Sequence, residues 1–357
     1  MFNWKKIILR PVDSMEHAIK VMDDEALKMI IVSDIENRLL GTITDGDIRR
    51  ALIKHLDMNT PISKIMFTNP TYCIEGFSDD KILTLMKKKN VLQIPIVDKD
   101  LKVIGLKTIN GIMGDKNILN GKFDNPVLIM AGGLGKRLLP ITEETPKPLI
   151  KLGGKPIIEN ILIQLIDSGF SNFFISTNYK ANKFKEYFKD GSDWGIKIDY
   201  LYEEKPLGTA GAISLLPDNI TKPLLIINGD ILTKVNYETM FSYHEDANAD
   251  ATVCVRKQDF QIPYGVIEAE NNFISNIDEK PIKTFFVNAG IYIVNPPLLR
   301  KVNKNEYTDM PNFLTEQIKN NFKISMFPLH EYWLDIGNHE NLKKAEVDSI
   351  DIFNDKK

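Results

Sequence analysis

The chain has 357 residues, of which 43% are hydrophobic and 26% charged, and its formal net charge is -3 at pH 7. This length predicts two domains, and a near-balanced charge without a basic block argues against nucleic-acid binding. Two cysteines are too few for a disulfide framework or a thiolate zinc site, and the five histidines show no paired metal-ligand spacing. No run of about 18 apolar residues, as a membrane-spanning helix requires, occurs in the sequence. We therefore expect a cytoplasmic protein with small-molecule partners.

The N-terminal third of the chain carries a degenerate internal repeat. Residues 29–44 are echoed 64 positions later by residues 93–108, with MIIVSD and GTIT in the first copy and QIPIVD and GLKT in the second. Each copy adds a helical pattern before its strands, at 14–23 or 78–89, and another helix after them. The pattern predicts a pair of strands with flanking helices, of the βαββα type, used twice.

This repeat resembles a CBS-domain pair, a tandem module that often binds adenosine nucleotides at its central cleft. In the first copy Thr44 and Asp47 match the family positions that hold a phosphate and a ribose, so the resemblance implies an adenosine-nucleotide effector there. The second copy has Gly111 where the first has Asp47. The residues alone also allow a simpler interpretation, in which Asp45 and Asp47 are turn and N-cap residues of a helix beginning at Ile48.

A linker is predicted after the repeat, because residues 114–126 lose apolar periodicity and are rich in Asn, Asp and Gly. We therefore expect a tandem CBS-domain pair over 1–114, a linker over 115–125 and a second domain over 126–357.

The second domain alternates strand patterns with helical patterns. Such alternation predicts an α/β fold with a mostly parallel, Rossmann-like sheet, whose ligands bind at the carboxyl ends of the strands. The predicted strands are 127–130, 172–177, 224–228, 252–255 and 287–294, and the predicted helices are 157–168, 183–189, 210–215 and 237–246.

The first strand of this domain breaks into a glycine-rich turn that predicts a polyphosphate cradle. Glycines let backbone N–H groups approach phosphate oxygens, and nearby cations neutralise the charge. No Gly-Lys-Ser/Thr follows as in a Walker loop. Leu138 stands where a dinucleotide fingerprint needs its third glycine, which argues against a nicotinamide-dependent oxidoreductase. The candidate cradle residues are Gly132, Gly133, Gly135, Lys136, Arg137 and Lys147.

Two carboxylates further along the chain are candidate metal ligands. Asp230 follows the buried-looking strand 224–228 and so lies at the carboxyl end of that strand. A carboxylate in such a position suits a hard cation such as Mg²⁺, which binds oxygen ligands. Asp335 lies among apolar neighbours 105 residues later, and a sheet could bring the two carboxylates together around one ion.

Two other clusters suggest ligand contacts. The turn that contains Gly208 and Thr209 (PLGTAGA) is small enough for its backbone to approach a base or ribose. Glu279 and Asn288 can hold sugar hydroxyls, and Lys280 offers a cation for a phosphate.

Taken in order, these motifs resemble those of the sugar-1-phosphate nucleotidyltransferases, also called nucleotide-sugar pyrophosphorylases, over about residues 125–345. The resemblance implies three groups of site residues and a Mg²⁺ cofactor held by Asp230 and Asp335. The catalytic group is Arg137, Lys147, Asp230 and Asp335; the nucleotide-binding group is Gly132, Gly133, Gly135, Lys136, Gly208 and Thr209; the sugar-phosphate group is Glu279, Lys280, Asn288 and Gly290.

The implied reaction is in-line attack of a sugar-1-phosphate oxygen on the α-phosphorus of a nucleoside triphosphate, with release of pyrophosphate. Cations and a metal suit this reaction because two anions must meet. The turns at 135–137 and 207–211 look closest to guanylyltransferases, and the fusion to a CBS pair resembles glucosamine-1-phosphate guanylyltransferases of legionaminic acid pathways. Mannose- or heptose-1-phosphate, UTP, dTTP or CTP, and an inactive nucleotide-sensing regulator stay open as alternatives. Because CBS pairs commonly associate, we expect a homodimer.

Overall fold

The computed structural model describes residues 3–89, 91–113 and 123–353. The chain divides into two compact units, Met1–Leu119 and Asn120–Lys357. Most of the predicted linker 115–125 lies outside the described residues. Its described end is packed into the second unit, because the ring of Phe123 stacks on Phe170 with centroids 4.4 Å apart and the Asn125 amide donates to the Pro223 carbonyl.

The first unit has the predicted double βαββα order. Its two three-stranded sheets have the orders β1-β2-β3 and β4-β5-β6. Its strands are β1 (Ile8–Leu9), β2 (Met29–Ser33), β3 (Leu39–Thr44), β4 (Cys73–Ile74), β5 (Gln93–Val97) and β6 (Val103–Thr108), and its helices are α1 (Met15–Asp24), α2 (Asp45–Ile53), α3 (Asp79–Lys89) and α4 (Ile109–Met113).

The 64-residue repeat is also a repeat of strand pairing. Val32 lies opposite Gly41 in the first copy, Ile96 lies opposite Gly105 in the second, and a register shift follows at the same place in both. The predicted repeat is therefore confirmed.

Helix α2 begins earlier than predicted. It starts at Asp45, with Thr44 as its N-cap, and not at Ile48. The physical reason is a capping box, in which Asp47 accepts from the Thr44 backbone N–H while the Thr44 hydroxyl faces the third residue of the helix.

The second unit is built on a seven-stranded sheet of order β11-β10-β7-β12-β17-β14-β18. Only the two contacts of β17, with β12 and β14, are antiparallel. Its strands are β7 (Val127–Met130), β8 (Lys151–Leu152), β9 (Lys155–Pro156), β10 (Asn172–Thr177), β11 (Lys197–Tyr202), β12 (Leu224–Asn228), β13 (Ile231–Thr233), β14 (Ala251–Gln261), β15 (Val266–Glu270), β16 (Phe273–Asp278), β17 (Ile282–Val294), β18 (Ile324–Leu329) and β19 (Trp333–Asp335). Its helices are α5 (Ile157–Asp167), α6 (Ala181–Phe188), α7 (Gly208–Gly211), α8 (Tyr237–Asp246), α9 (Pro296–Leu299), α10 (Met310–Lys319) and α11 (His339–Phe353).

The core covers both faces of this sheet. Val127 and Ile129 belong to one buried cluster, while Leu128, between them, belongs to another on the opposite face. Burial on both faces explains why the central strands are continuous apolar runs. The mostly parallel α/β fold predicted from the sequence is confirmed.

An extension of the sheet is named the arm here. It comprises residues 257–287, namely the outer ends of β14 and β17 with the β15–β16 hairpin between them. The sequence analysis predicted β14 and β17 only as far as their buried parts. Within the described residues, no helix is both long and apolar enough to cross a bilayer.

Candidate functional site

A cavity of about 460 Å³ lies at the carboxyl ends of β7 and β12, where ligands bind in parallel α/β sheets. Four motifs that are separate in the sequence meet there: the glycine-rich turn, the segment around Lys147, the 207–211 turn and the strand end at 229–230. The predicted site residues that line the cavity are Gly132, Gly133, Gly135, Lys136, Arg137, Lys147, Gly208, Thr209 and Asp230.

An ion pair between the Lys147 ammonium and the Asp230 carboxylate lies in the cavity wall. The Lys147 side chain is only 10% exposed and that of Asp230 is 24% exposed. Lys147 is held in this position by a 3-10 turn, Lys147–Leu149, whose first two residues are buried. A cation this buried requires an anionic partner, and Asp230 supplies one.

Asp335 lies beside Asp230. Strands β13 and β19 pair antiparallel with Ile231 opposite Asp335, and the Ile336 N–H donates to the Asp230 carbonyl oxygen over 3.0 Å. The Asp335 Oδ1 atom is buried and has no hydrogen-bond partner among the described residues. Burial and the Asp230 charge raise the pKa of Asp335, against the opposing effect of Lys147 and Arg137. Two adjacent carboxylates, one with an unpaired buried oxygen, are the donor set that a hard cation requires.

The 207–211 turn is shaped by the protein's own chain. Gly208 has φ +77°, and a methyl group on it would lie 2.7 Å from the Thr308 carbonyl oxygen. That oxygen accepts the backbone N–H groups of Ala210 and Gly211 over 2.9 and 3.1 Å. The small residues predicted to admit a base or ribose therefore also admit the segment around Thr308, which the sequence analysis did not connect to the site.

Glu203 is a cavity residue that the sequence analysis missed. It is 3% exposed, and its Oε2 accepts the Leu207 N–H over 2.9 Å. Its Oε1 lies under the glycine-rich turn, since a methyl group on Gly132 would be only 2.5 Å away. Glu203 directly follows β11, so the signal that selected Asp230, an acid after a strand, was present. It was not seen because β11 was not predicted.

Tyr307, Asp309 and Asn228 also line the cavity without having been predicted. The Tyr307 hydroxyl donates to Asp309 Oδ2 over 2.9 Å, and this bond raises the pKa of Tyr307. The Oδ1 atom of Asn228 is buried without a hydrogen-bond partner among the described residues.

The four predicted sugar-phosphate residues lie outside the cavity lining. Glu279 and Lys280 are exposed in the arm, where they connect β16 to β17. The Asn288 amide donates to the Tyr292 hydroxyl over 2.7 Å and accepts the Gly290 N–H over 2.9 Å. A methyl group on Gly290 would lie 2.6 Å from the side-chain nitrogen of Asn228, so this pair adjoins the cavity wall.

In the first unit, Thr44 and Asp47 bond to each other. Asp47 Oδ2 accepts from the Thr44 N–H over 2.8 Å and from the Thr44 hydroxyl over 2.7 Å, while Oδ1 accepts from Arg50 over 2.6 Å. In the second copy the Gly111 N–H donates to the Thr108 hydroxyl over 2.9 Å, without a carboxylate. The capping interpretation is thus present in the structure, and a ligand role for Thr44 and Asp47 stays a prediction.

Comparison with known proteins gives two families and several relatives. The Nucleotidyl transferase family matches residues 126–351, and the CBS domain family matches residues 4–54. The mannose-1-phosphate guanyltransferases of Pichia angusta and Schizosaccharomyces pombe are 32% and 31% identical over 226 and 219 residues, in each case covering 59% of this chain. The chain spans about 60% of the length of these curated relatives.

A solved structure, HddC from Yersinia pseudotuberculosis complexed with GMP-PN, is 26% identical with a TM-score of 0.51. It matches 63% of this chain and 99% of its own.

Proposed function

This chain belongs to the nucleotidyl transferase family, and from that premise we propose that it transfers a guanylyl group from GTP to a sugar-1-phosphate with release of pyrophosphate. One observation supports this activity above the others. The glycine-rich turn, the Lys147–Asp230 ion pair and the adjacent Asp335 lie together at the carboxyl edge of the sheet. This combination provides backbone donors, fixed cations and paired carboxylates for a reaction between two phosphates.

In the proposed reaction, the phosphate oxygen of the sugar attacks the α-phosphorus in line, a new P–O bond forms, and the bond to the pyrophosphate oxygen breaks. The backbone of the glycine-rich turn holds the triphosphate. Lys136 and Arg137, both exposed in the cavity, neutralise its charge. The ammonium of Lys147 is positioned in advance by Asp230, so that little reorganisation is required as charge moves.

A Mg²⁺ ion fits the carboxylates of Asp230 and Asp335. Among the described residues the buried Oδ1 of Asp335 has no hydrogen-bond partner, and burial together with the Asp230 charge raises the pKa of Asp335, so a cation between the two carboxylates would offset both effects. When bound, Mg²⁺ supplies charge neutralisation to the phosphate oxygens and the departing pyrophosphate.

Glu203 supports guanine as the base. Guanine presents two adjacent donors, N1–H and the 2-amino group, whereas uracil and thymine present a single N–H on that edge. A carboxylate is an acceptor only, and each of its oxygens can accept two hydrogen bonds. With one bond of Oε2 used by Leu207, the rest of the Glu203 carboxylate suits guanine. The GMP-PN complex of HddC is consistent with the same base.

The proposed acceptor is glucosamine-1-phosphate, held by Glu279, Lys280, Asn288 and Gly290. A CBS domain precedes the transferase domain in this chain. This choice is supported by that fusion, because it resembles the domain order of glucosamine-1-phosphate guanylyltransferases. Mannose-1-phosphate is the main competing acceptor, because the curated relatives are named for it.

The test is pyrophosphate release in Mg²⁺, with GTP, UTP, CTP, dTTP and ATP each paired with glucosamine-, mannose-, heptose- and glucose-1-phosphate. Turnover that is fastest with GTP and glucosamine-1-phosphate would support the full proposal. Turnover with another pair would keep the reaction and replace the specificity. No turnover with any pair would favour the alternative of a nucleotide-sensing regulator.

A further inference from the structure

The first turn of α11 follows closely on the strand that carries Asp335. Strand β19 ends at Asp335 and α11 begins at His339, so only residues 336–338 connect them. The Asn338 side chain accepts the Asn341 N–H over 2.8 Å, as the side chain of a helix N-cap does. This cap fixes where α11 begins relative to Asp335.

Asn341 holds the backbone of Asp335. Its side-chain amide donates to the Asp335 carbonyl oxygen over 2.6 Å in a partly buried hydrogen bond. On the other side, the Ile336 N–H donates to the Asp230 carbonyl oxygen, so the backbone here is restrained toward both Asp230 and α11. Because Oδ1 of Asp335 has no hydrogen-bond partner among the described residues, the direction of this carboxylate depends on these backbone restraints.

His339, in the same helical turn, reaches the end of the glycine-rich turn. A carbonyl oxygen can only accept, so the His339 Nε2–H donates to the Leu139 carbonyl over 3.0 Å, although 200 residues separate the two. Leu139 is the C-cap of the 3-10 turn Lys136–Leu138, which includes Arg137. The first turn of α11 therefore contacts both the segment that carries Asp335 and the segment that carries Arg137.

Gly337, in the connection between β19 and α11, lies against the side chains of both segments. A methyl group on Gly337 would be 3.3 Å from Arg137 Nη1 and 3.4 Å from Asp335 Oδ1. The guanidinium and the carboxylate are therefore both packed close to this glycine. A shift of the connection would displace both groups relative to the cavity.

We propose that the first turn of α11 is a positioning element, in which Asn341 fixes Asp335 for a divalent cation and His339 fixes the Arg137 turn for the triphosphate. This inference rests on the proposed function and goes beyond it, because neither His339 nor Asn341 lines the cavity. Mg²⁺ demands near-ideal octahedral geometry, so displacement of one carboxylate weakens its binding. Loss of a residue that orients a metal ligand typically costs about 10- to 100-fold in metal affinity.

The test of Asn341 is Mn²⁺ binding to the full chain without nucleotide or sugar, followed by the electron paramagnetic resonance signal of the free ion. Mn²⁺ takes the same oxygen ligands as Mg²⁺, and the site is identified as the one that is lost in Asp335→Asn. In Asn341→Leu, which removes the donor at a similar side-chain size, the Mn²⁺ dissociation constant is expected to rise about tenfold. Asn182→Leu is the matched control, since it makes the same change at an exposed position in the first turn of α6 and should leave the affinity unchanged.

The test of His339 is GTP binding in calorimetry, with Mg²⁺ present and no acceptor sugar. His339→Leu removes the donor to Leu139 and is expected to weaken GTP binding several-fold, because the turn that includes Arg137 loses a restraint. His339→Gln keeps an N–H donor of similar reach and is expected to retain the affinity. Circular dichroism melts establish that all variants fold.

A folded Asn341→Leu variant with wild-type Mn²⁺ affinity would overturn the proposal, even if its melting temperature falls, and so would a wild-type chain without this Mn²⁺ site. Equal GTP affinity in His339→Leu and the wild type, or a wild type that does not bind GTP, would remove His339 from it. Both readouts are binding measurements without an acceptor. Absence of turnover with every sugar-1-phosphate would therefore contradict the proposed reaction without changing these results.

Discussion

Asp230 pairs with the Lys147 ammonium and adjoins the Asp335 carboxylate. Asp230→Asn keeps an oxygen that can accept from Lys147 but removes the negative charge. We expect the fold to persist and kcat/KM to fall by about 10²- to 10³-fold or more, the scale seen when one electrostatic contact to a transition state is lost. Pyrophosphate release gives the rate, and a circular dichroism melt reports folding. Asp218→Asn, at an exposed acid outside the cavity, is the control. A near-normal rate in Mg²⁺ would remove Asp230 from the mechanism.

The orientation of Glu203 makes its substitution informative about the base. In Glu203→Gln the amide oxygen is expected to keep the Leu207 N–H, which turns the NH₂ group toward the cavity. A donor there opposes the donors of guanine and suits the carbonyl oxygens of uracil or thymine. We expect kcat/KM for GTP to fall by about 10²-fold and the ratio of UTP to GTP turnover to rise.

Glu204→Gln is the matched control for this substitution, because the neighbouring side chain is exposed and does not line the cavity. Equal losses for GTP and UTP in Glu203→Gln would indicate that Glu203 shapes the turn without reading the base.

At the scale of elements, helix α8 is joined to the sheet by a buried hydrogen-bond chain. His244 Nε2–H donates to Asn295 Oδ1 over 3.1 Å, while Nδ1 accepts from the Thr252 hydroxyl over 2.8 Å, and that hydroxyl accepts from Ser325 over 2.7 Å. The Asn295 amide donates to the Ala249 carbonyl, which fixes its orientation. In this arrangement the imidazole is neutral, and its burial disfavours the charged form.

This network predicts a pH dependence of stability. Burial lowers the pKa of His244 below its ordinary value of 6.5. The unfolded chain therefore binds a proton at a higher pH than the folded chain, so the stabilisation is present above about pH 6.5 and is lost as the pH falls toward the lowered pKa. Urea unfolding between about pH 7 and about pH 5 should show this loss. His244→Gln should flatten the profile in that range, whereas His17→Gln, at an exposed histidine, should not. An unchanged slope in His244→Gln would contradict the assignment.

The strands that could be predicted were those rich in apolar residues. Strands β7 and β12 match their predicted bounds because burial on both faces makes them nearly continuous apolar runs, and β10 matches although it begins with the exposed Asn172 and ends with the buried polar residues Ser176 and Thr177. Helix α8 matches because its N-cap, Asn236, marks its start. β11 alternates polar and apolar residues and was missed, and Glu203 was missed with it. The close contact between Gly208 and the Thr308 carbonyl could not be predicted, because 100 residues separate the two and only the fold brings them together.

At the scale of the whole molecule, the sequence repeat predicted the architecture of the first unit but not the use of its polar residues. Thr44 and Thr108 occupy equivalent positions, each beside a strand pair of the same register. Both hydroxyls act in helix capping, and only the first copy adds a carboxylate, Asp47. The two threonines therefore share a structural role at the start of a helix, and the ligand role is predicted only for the first copy.

We predict that an adenosine nucleotide binds the first copy through Thr44 and Asp47. Thr44→Val removes the hydroxyl and keeps the β-branched shape, so it should weaken AMP binding several-fold in calorimetry, while Thr44→Ser should not. The rate of pyrophosphate release without AMP should be unchanged, because the cavity residues all belong to the second unit. Replacing a capping threonine by valine also removes the capping hydroxyl, which costs about 1 kcal/mol of stability. Thr108→Val is therefore the matched control, since it loses the equivalent capping hydroxyl in the copy without the carboxylate. Equal AMP affinity in Thr44→Val and the wild type would leave these residues with capping alone, whereas equal weakening in Thr44→Val and Thr108→Val would trace the effect to stability.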